Sequence, residues 1–191
     1  MDSKDQRVFL QFVFVLFFVL ISSQLLGQNA GLYPLKSGKI SFFSYANLEV
    51  IKASSVHLKG LINPEQNTFA VTVENNSFIG FNSDLQREHF NERYIESAKY
   101  EFCSYSGKII EKIDWTKDGK YTVRAKGKLI IHGVSQERVI KITLQIKGNE
   151  INVLSVFNVV LSDHEINIPA IVNQKIAEEI MVEFSSLFVK K

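Results

Sequence analysis

The run Tyr121-Thr122-Val123-Arg124-Ala125-Lys126-Gly127-Lys128-Leu129-Ile130-Ile131 decides how this chain folds. Tyr121, Val123, Ala125, Gly127, Leu129 and Ile131 share one face, while Thr122, Arg124, Lys126 and Lys128 share the other. A period of two with one apolar face is the signature of a half-buried strand. Ile140, Ile142, Leu144 and Ile146 then alternate with Lys141, Thr143, Gln145 and Lys147 in the same way. His132-Gly133 separates the two runs.

Working outward, the same rhythm continues in both directions. Gly148-Asn149 turns the chain into Ile151, Val153, Phe157, Val159 and Leu161, and Glu165 to Ile168 reads as a short strand closed by Pro169. Asn173 is placed to cap a short helix with a Lys175/Glu179 pair and with Ile176 facing Ile180. Met181 to Val189 is the last strand. Toward the N-terminus, Asp118-Gly119 is a two-residue turn signal, and Tyr100 to Asp114 is a strand. Pro34 to Tyr45, Leu48 to Ile62 and Thr68 to Glu74 are three more, with a hairpin loop over residues 63–67. About eight short antiparallel strands predict a closed up-and-down barrel or a sandwich.

One segment breaks the rhythm. In Phe81 to Tyr100, Ser83 is an N-cap with Gln86 completing a capping box, and Leu85 and His89 share a helical face, as do Phe90 and Tyr94. This predicts a short helix and an aromatic loop across one end of the barrel. The aromatics Phe78, Phe81, Phe90, Tyr94, Tyr100 and Phe102 either plug that end or line the mouth of an apolar cavity. Barrels of about eight strands are wide enough for one small ligand.

The first 27 residues have the pattern of a secretory signal peptide. Lys4 and Arg7 precede an apolar stretch, Val8 to Ile21, broken only by Gln11, and Gly27 stands before the expected cut. That stretch is about 14 residues long, short of the roughly 20 that a spanning helix needs. Residues 28–191 are the right length for one domain, with no stable membrane span expected after cleavage. A net charge of +2 gives no basis for nucleic-acid binding. Cys103 is the single cysteine and excludes an internal disulfide, and the scattered His57, His89, His132 and His164 form no metal-ligand spacing.

Several segments together resemble the YceI-like family. They are Glu88-His89-Phe90-Asn91-Glu92 with Tyr94, Glu96-Ser97 and Lys99-Tyr100, then Gly127 to Val134 around His132-Gly133. Phe157-Asn158-Val159, Leu161-Ser162-Asp163, Ile168-Pro169 and Lys175 to Ile180 extend the likeness from roughly Tyr33 to Val189. Glu101 stands where that family usually has proline, Gln86 where methionine is common, and Ile79 and Phe81 where two aromatics are common. The resemblance implies an exported all-β protein with a closed antiparallel lipocalin-like barrel of about eight strands and one or two short helices. It also implies a non-catalytic role, enclosing a polyisoprenoid, a quinone or another lipid in an apolar channel. On this reading Phe81, Leu85, Phe90, Tyr94 and Phe102 form the mouth, Phe42, Phe157 and Phe184 form the wall, and Tyr94 or His89 bonds a head group. The expected site is periplasmic or secreted, with an apolar ligand as partner and no cofactor beyond a bound isoprenoid quinone or lipid; a homodimer is left open. Two rivals follow from the residues: a small integral outer-membrane barrel, because inversion preserves the alternation, and a hydrolase using His89 with Ser83 or Cys103.

Overall fold

The structure, a computed structural model, describes residues 31–191; the leader expected over residues 1–27 lies outside them. Strand β6 (Gly119–Ile131) pairs with β7 (Val134–Lys147) along its whole length, from Gly119↔Ile146 to Ile131↔Val134. The alternation has the expected sense. Val123, Ala125 and Leu129 are buried, while Arg124, Lys126 and Lys128 are exposed. His132 and Gly133 both have positive φ, 51° and 74°, as a type I′ hairpin turn requires.

The remaining strands are β1 (Tyr33–Tyr45), β2 (Val50–Ser55), β3 (Leu58–Asn63), β4 (Thr68–Glu74), β5 (Phe102–Ile109), β8 (Glu150–Val160) and β9 (Glu179–Val189). Each pairs antiparallel with its neighbours, and β1 closes the sheet by pairing with β9. On its other side β1 meets β2 near one end and β3 near the other. These two therefore share one stave, and the barrel has eight. The sequence reading of a single strand from Leu48 to Ile62 captures the stave but not its break at Val56-His57.

The neighbouring stave breaks at the same level. After β4 the chain makes a 3₁₀ turn at Asn75–Ser77, and Ile79 then rejoins β2 through two backbone hydrogen bonds with Ser54, of 2.8 and 2.9 Å. The wall opens beyond this double break. Helix α1 (Asp84–His89), extended by one π-turn through Tyr94, lies in the opening. Ser83 caps it as expected, its Oγ accepting from the Gln86 N–H. Gln86 Oε1 reaches back one residue further than a capping box, accepting from the Asn82 N–H.

Three local expectations are corrected. Asn173 does not start a helix: residues Ala170–Val172 form one 3₁₀ turn, and Glu179 and Ile180 already belong to β9. Pairing with β8 from Val160↔Glu179 onward satisfies backbone groups that a two-turn helix would leave open. Glu165 to Ile168 is not a strand, because a 3₁₀ turn at Leu161–His164 runs into Glu165 in the left-handed region. Asp118-Gly119 is not a two-residue hairpin either; Gly119 opens β6, and the Asp118 carboxylate accepts from the Gly148 N–H just past the end of the adjacent strand β7.

That floor is solid. Tyr33, Val123, Ile146 and Ile151 pack there with Ile113 and Trp115. Trp115 Nε1–H donates to Asn67 Oδ1, and Asn67 Nδ2 donates to the carbonyls of Ile109 and Glu111. Just above it, Gly107 and Gly127 face each other; a Cβ on Gly107 would lie 2.1 Å from the Lys126 carbonyl oxygen, and one on Gly127 as close to that of Ser106. The Tyr105 hydroxyl donates to the Ala125 carbonyl beside this pair. Gly107→Ala is expected to cost about 2–3 kcal/mol, read as a lower urea midpoint at unchanged m-value.

At the opposite end, the loops are tied together through two histidines. His164 is fully buried, with Nδ1 3.1 Å from the Val134 carbonyl, and its own carbonyl meets His132 Nδ1. Desolvation holds the His164 imidazole below its ordinary 6.5. Above that value it is neutral whether the chain is folded or not. As pH falls through it, the unfolded chain takes up a proton that the folded one refuses, and stability is lost. Urea midpoints are therefore expected to fall between about pH 7 and pH 5, with a shallower fall in His164→Gln.

Candidate ligand channel

Above the packed floor the barrel is hollow. A channel of about 550 Å³ runs from Ile62, Ile109, Leu144 and Phe188 up to helix α1. Inward-facing strand residues make its wall, since alternate side chains of every stave point to the same side. It reaches the surface beside α1, where Leu85 lines it although 59 % exposed.

The mouth is built on an aromatic cluster. Phe42 of β1 lies 5.5 Å from Phe78, 5.9 Å from Phe81 and 5.4 Å from Phe90, ring centre to ring centre, and Phe81 and Phe90 are 5.1 Å apart. These distances are those of favourable aromatic pairs. The cluster fastens the helical segment to the wall and at the same time presents ring faces to the channel. Plug and mouth, opposed in the sequence reading, are the same residues.

Of the side chains expected at the site, Phe42, Phe81, Leu85, His89, Phe90, Tyr94, Phe157 and Phe184 all line the channel. Phe102 does not. Cys103 and Tyr105 face inward on β5, which turns Phe102 to the outer surface, beside Glu74, Ser97 and Glu101. The inward apolar positions Tyr105 and Ile109 already carry that parity; the aromatic run around Phe102 obscured it.

The rim holds polar groups that the pattern of the sequence did not single out. Glu49, in the β1–β2 turn, accepts through Oε1 from Asn82 Nδ2 at 3.0 Å and from Gln86 Nε2 at 2.9 Å. The Asn82 amide, helped by Gln86 and by the Lys175 cation, holds this half-buried carboxyl below its usual range. Lys175 lines the channel from the loop between β8 and β9. That loop is tied to the same turn: Ser44 Oγ accepts from the Ala177 N–H, and the Leu48 N–H donates to the Gln174 carbonyl. Three segments far apart in sequence thus meet at one opening, and only their closure in space reveals it.

Cys103 also lines the channel, and burial pushes its thiol up to about 12. It is a neutral, weakly polar wall group and not an activated nucleophile. Ser83 Oγ is engaged in capping α1. Among the described residues no cluster of His, Cys, Asp and Glu is arranged to hold a metal ion.

Comparison with known proteins bears on this architecture. Among curated proteins nothing matches the chain. A polyisoprenoid binding domain from Saccharophagus degradans superposes with a TM-score of 0.72 at 15 % identity, over 85 % of this chain and 99 % of that one. BcnA from Burkholderia cenocepacia gives 0.65 at 16 % identity, over 78 % and 95 %. The YCEI protein of Campylobacter jejuni gives 0.53 at 15 % identity, over 68 % and 78 %. These likenesses establish the closed antiparallel barrel. The sequence profile of the YceI-like domain matches residues 37–188, most of the length of the chain, and the protein belongs to the YceI-like family.

Proposed function

We propose that this protein is a non-catalytic carrier that encloses the hydrocarbon of a polyisoprenoid, an isoprenoid quinone or another lipid, and shields it from water. The observation that carries this reading is the apolar channel, open beside α1 and closed at the floor. Burying hydrocarbon there contributes about 0.8 kcal/mol per CH₂, so a long tail binds with few polar contacts. The Saccharophagus degradans neighbour is described as polyisoprenoid binding, which supports the same class of ligand here. Tyr94 and His89 both line the channel, and on this reading one or the other bonds a polar head.

Polarity argues against the outer-membrane alternative. The outward faces of β6 and β7 carry Lys120, Arg124, Lys126, Lys128 and Lys141, all exposed, where a lipid-facing barrel needs an apolar band. No helix among the described residues is long and apolar enough to cross a membrane. The hydrolase alternative needs Ser83 or Cys103 as nucleophile, and the capping bond of one and the protonated state of the other oppose it. A periplasmic or secreted location fits the basic and apolar leader pattern of residues 1–27.

Organic extraction of the purified protein followed by mass spectrometry is expected to yield a lipid. Failure of native and delipidated protein alike to bind any prenyl or fatty probe would refute the carrier reading. Phe157→Asp, which puts a carboxylate into the channel wall, is expected to weaken binding of a fluorescent prenyl or fatty probe by at least about tenfold. Phe102→Asp, on the outer surface, is expected to leave it unchanged, with circular dichroism confirming that both variants fold.

A further inference from the structure

We propose that Asn75 is a hydrogen-bonding station inside the channel, and that it selects an apolar ligand carrying a hydroxyl donor over one that offers only acceptors. This rests on the carrier reading and names the functional group that the same channel recognises.

Asn75 lines the channel and is fully buried. The 3₁₀ turn after β4 places it there, and its backbone N–H donates to the Glu101 carbonyl. Its Nδ2 donates to the Tyr100 carbonyl at 2.7 Å. A carbonyl only accepts, so this bond fixes which end of the side-chain amide is which. Oδ1 is left as an acceptor that no donor among the described residues reaches. The other buried side-chain atoms in that condition belong to Asn91, His164 and Ser186, none of which lines the channel. Along the inner wall the neighbouring polar groups have partners. The Ser155 hydroxyl donates to the Lys141 carbonyl, the Tyr105 hydroxyl donates to that of Ala125, and Ser44 Oγ accepts from the Ala177 N–H. A buried acceptor without a donor is costly, and native chains keep few of them.

The station lies within the barrel and not at the rim. Cys103, whose thiol stands close to the Asn75 amide, packs with Phe90 against Val73 and Phe78. That thiol is at best a weak donor. Hydrocarbon that fills the channel at this level displaces water and strands Oδ1, unless the ligand brings a donor of its own. A hydroxyl meets that need. A quinone carbonyl, an ester or an ether sets lone pair against lone pair.

The shared chemistry is a hydroxyl on an apolar body, and it comes either from an isoprenoid alcohol or from a quinol. Two matched pairs separate these sources: geranylgeraniol against its methyl ether, and decylubiquinol, kept under nitrogen, against decylubiquinone. Each is titrated against the delipidated protein by displacement of a fluorescent fatty probe. In at least one pair the donor is expected to bind roughly tenfold more tightly, and the pair with the larger preference identifies the source. The extra methyl of the ether would by itself favour the ether by roughly fourfold, so hydrophobicity cannot produce this result.

Asn75→Leu, of similar volume and without the acceptor, is expected to erase the preference while still binding the ether and the quinone. Should that variant fail to fold, the side-chain amide resonance of Asn75 in the unmutated protein gives the same reading. It is expected to shift with the preferred donor and to stay in place with its matched partner. Equal binding within both pairs, a preference that survives Asn75→Leu, or an amide resonance indifferent to the donor overturns the station and leaves the carrier reading intact. A protein that binds no member of either pair overturns both.

Discussion

The structure depends on a matched interruption of two adjacent staves. A barrel wall holds itself together by exchanging backbone hydrogen bonds between neighbours, and a stave that breaks alone leaves its neighbour with unpaired groups. Here the break at Val56-His57 and the turn at Asn75–Ser77 fall at one level. The Glu74 N–H donates to the His57 carbonyl across them, and the Asn75 N–H donates to the Glu101 carbonyl. Above that level the pairing resumes only through Ser54 and Ile79. The wall thus acquires an opening beside β2, whose free side is met by Ile79 at Ser54 and by the Asn82 amide at the Val50 carbonyl, and the segment carrying α1 lies there.

What fills the opening also determines what remains empty. Phe42, Phe78, Phe81 and Phe90 pack against one another near the mouth, while Tyr33, Ile113, Trp115, Ile146 and Ile151 pack at the floor. Between the two ends the wall mixes large inward side chains, Phe69, Tyr105, Phe157 and Phe184, with small ones, Ala125 and Ser155. An eight-stave barrel is just wide enough for its side chains to fill or to leave one ligand-sized space.

The polar groups at the helix end follow a consistent logic. His132 meets the His164 carbonyl and Glu96, Tyr100 lies edge-on against the His132 ring, and Gly133 leaves room for Tyr100 where a Cβ would lie 2.3 Å from that ring. Glu49 draws the Asn82 and Gln86 amides to the rim. Loops distant in sequence are thereby held in register by directional bonds, and the apolar wall beneath is relieved of the need to orient them.

How much of this could be read from the chain itself differs from one part to another. The two-residue period of Tyr121 to Ile131 and Ile140 to Lys147 made the strands and their two unlike faces legible. Inversion preserves that alternation, and the burial of Val123, Ala125 and Leu129 in the closed barrel decided which face points inward. Ser83 and its neighbours likewise announced α1 by local capping chemistry. Asn173 and Glu165 misled, since short helical or extended propensity is weak and yields to a partner strand brought up from elsewhere. The union of β2 and β3 into one stave and the meeting of Glu49 with Lys175 at the rim were decided only in three dimensions. Each depends on which distant backbone groups find one another when the sheet closes, and a channel is the space that closure leaves, which no single stretch of sequence encodes.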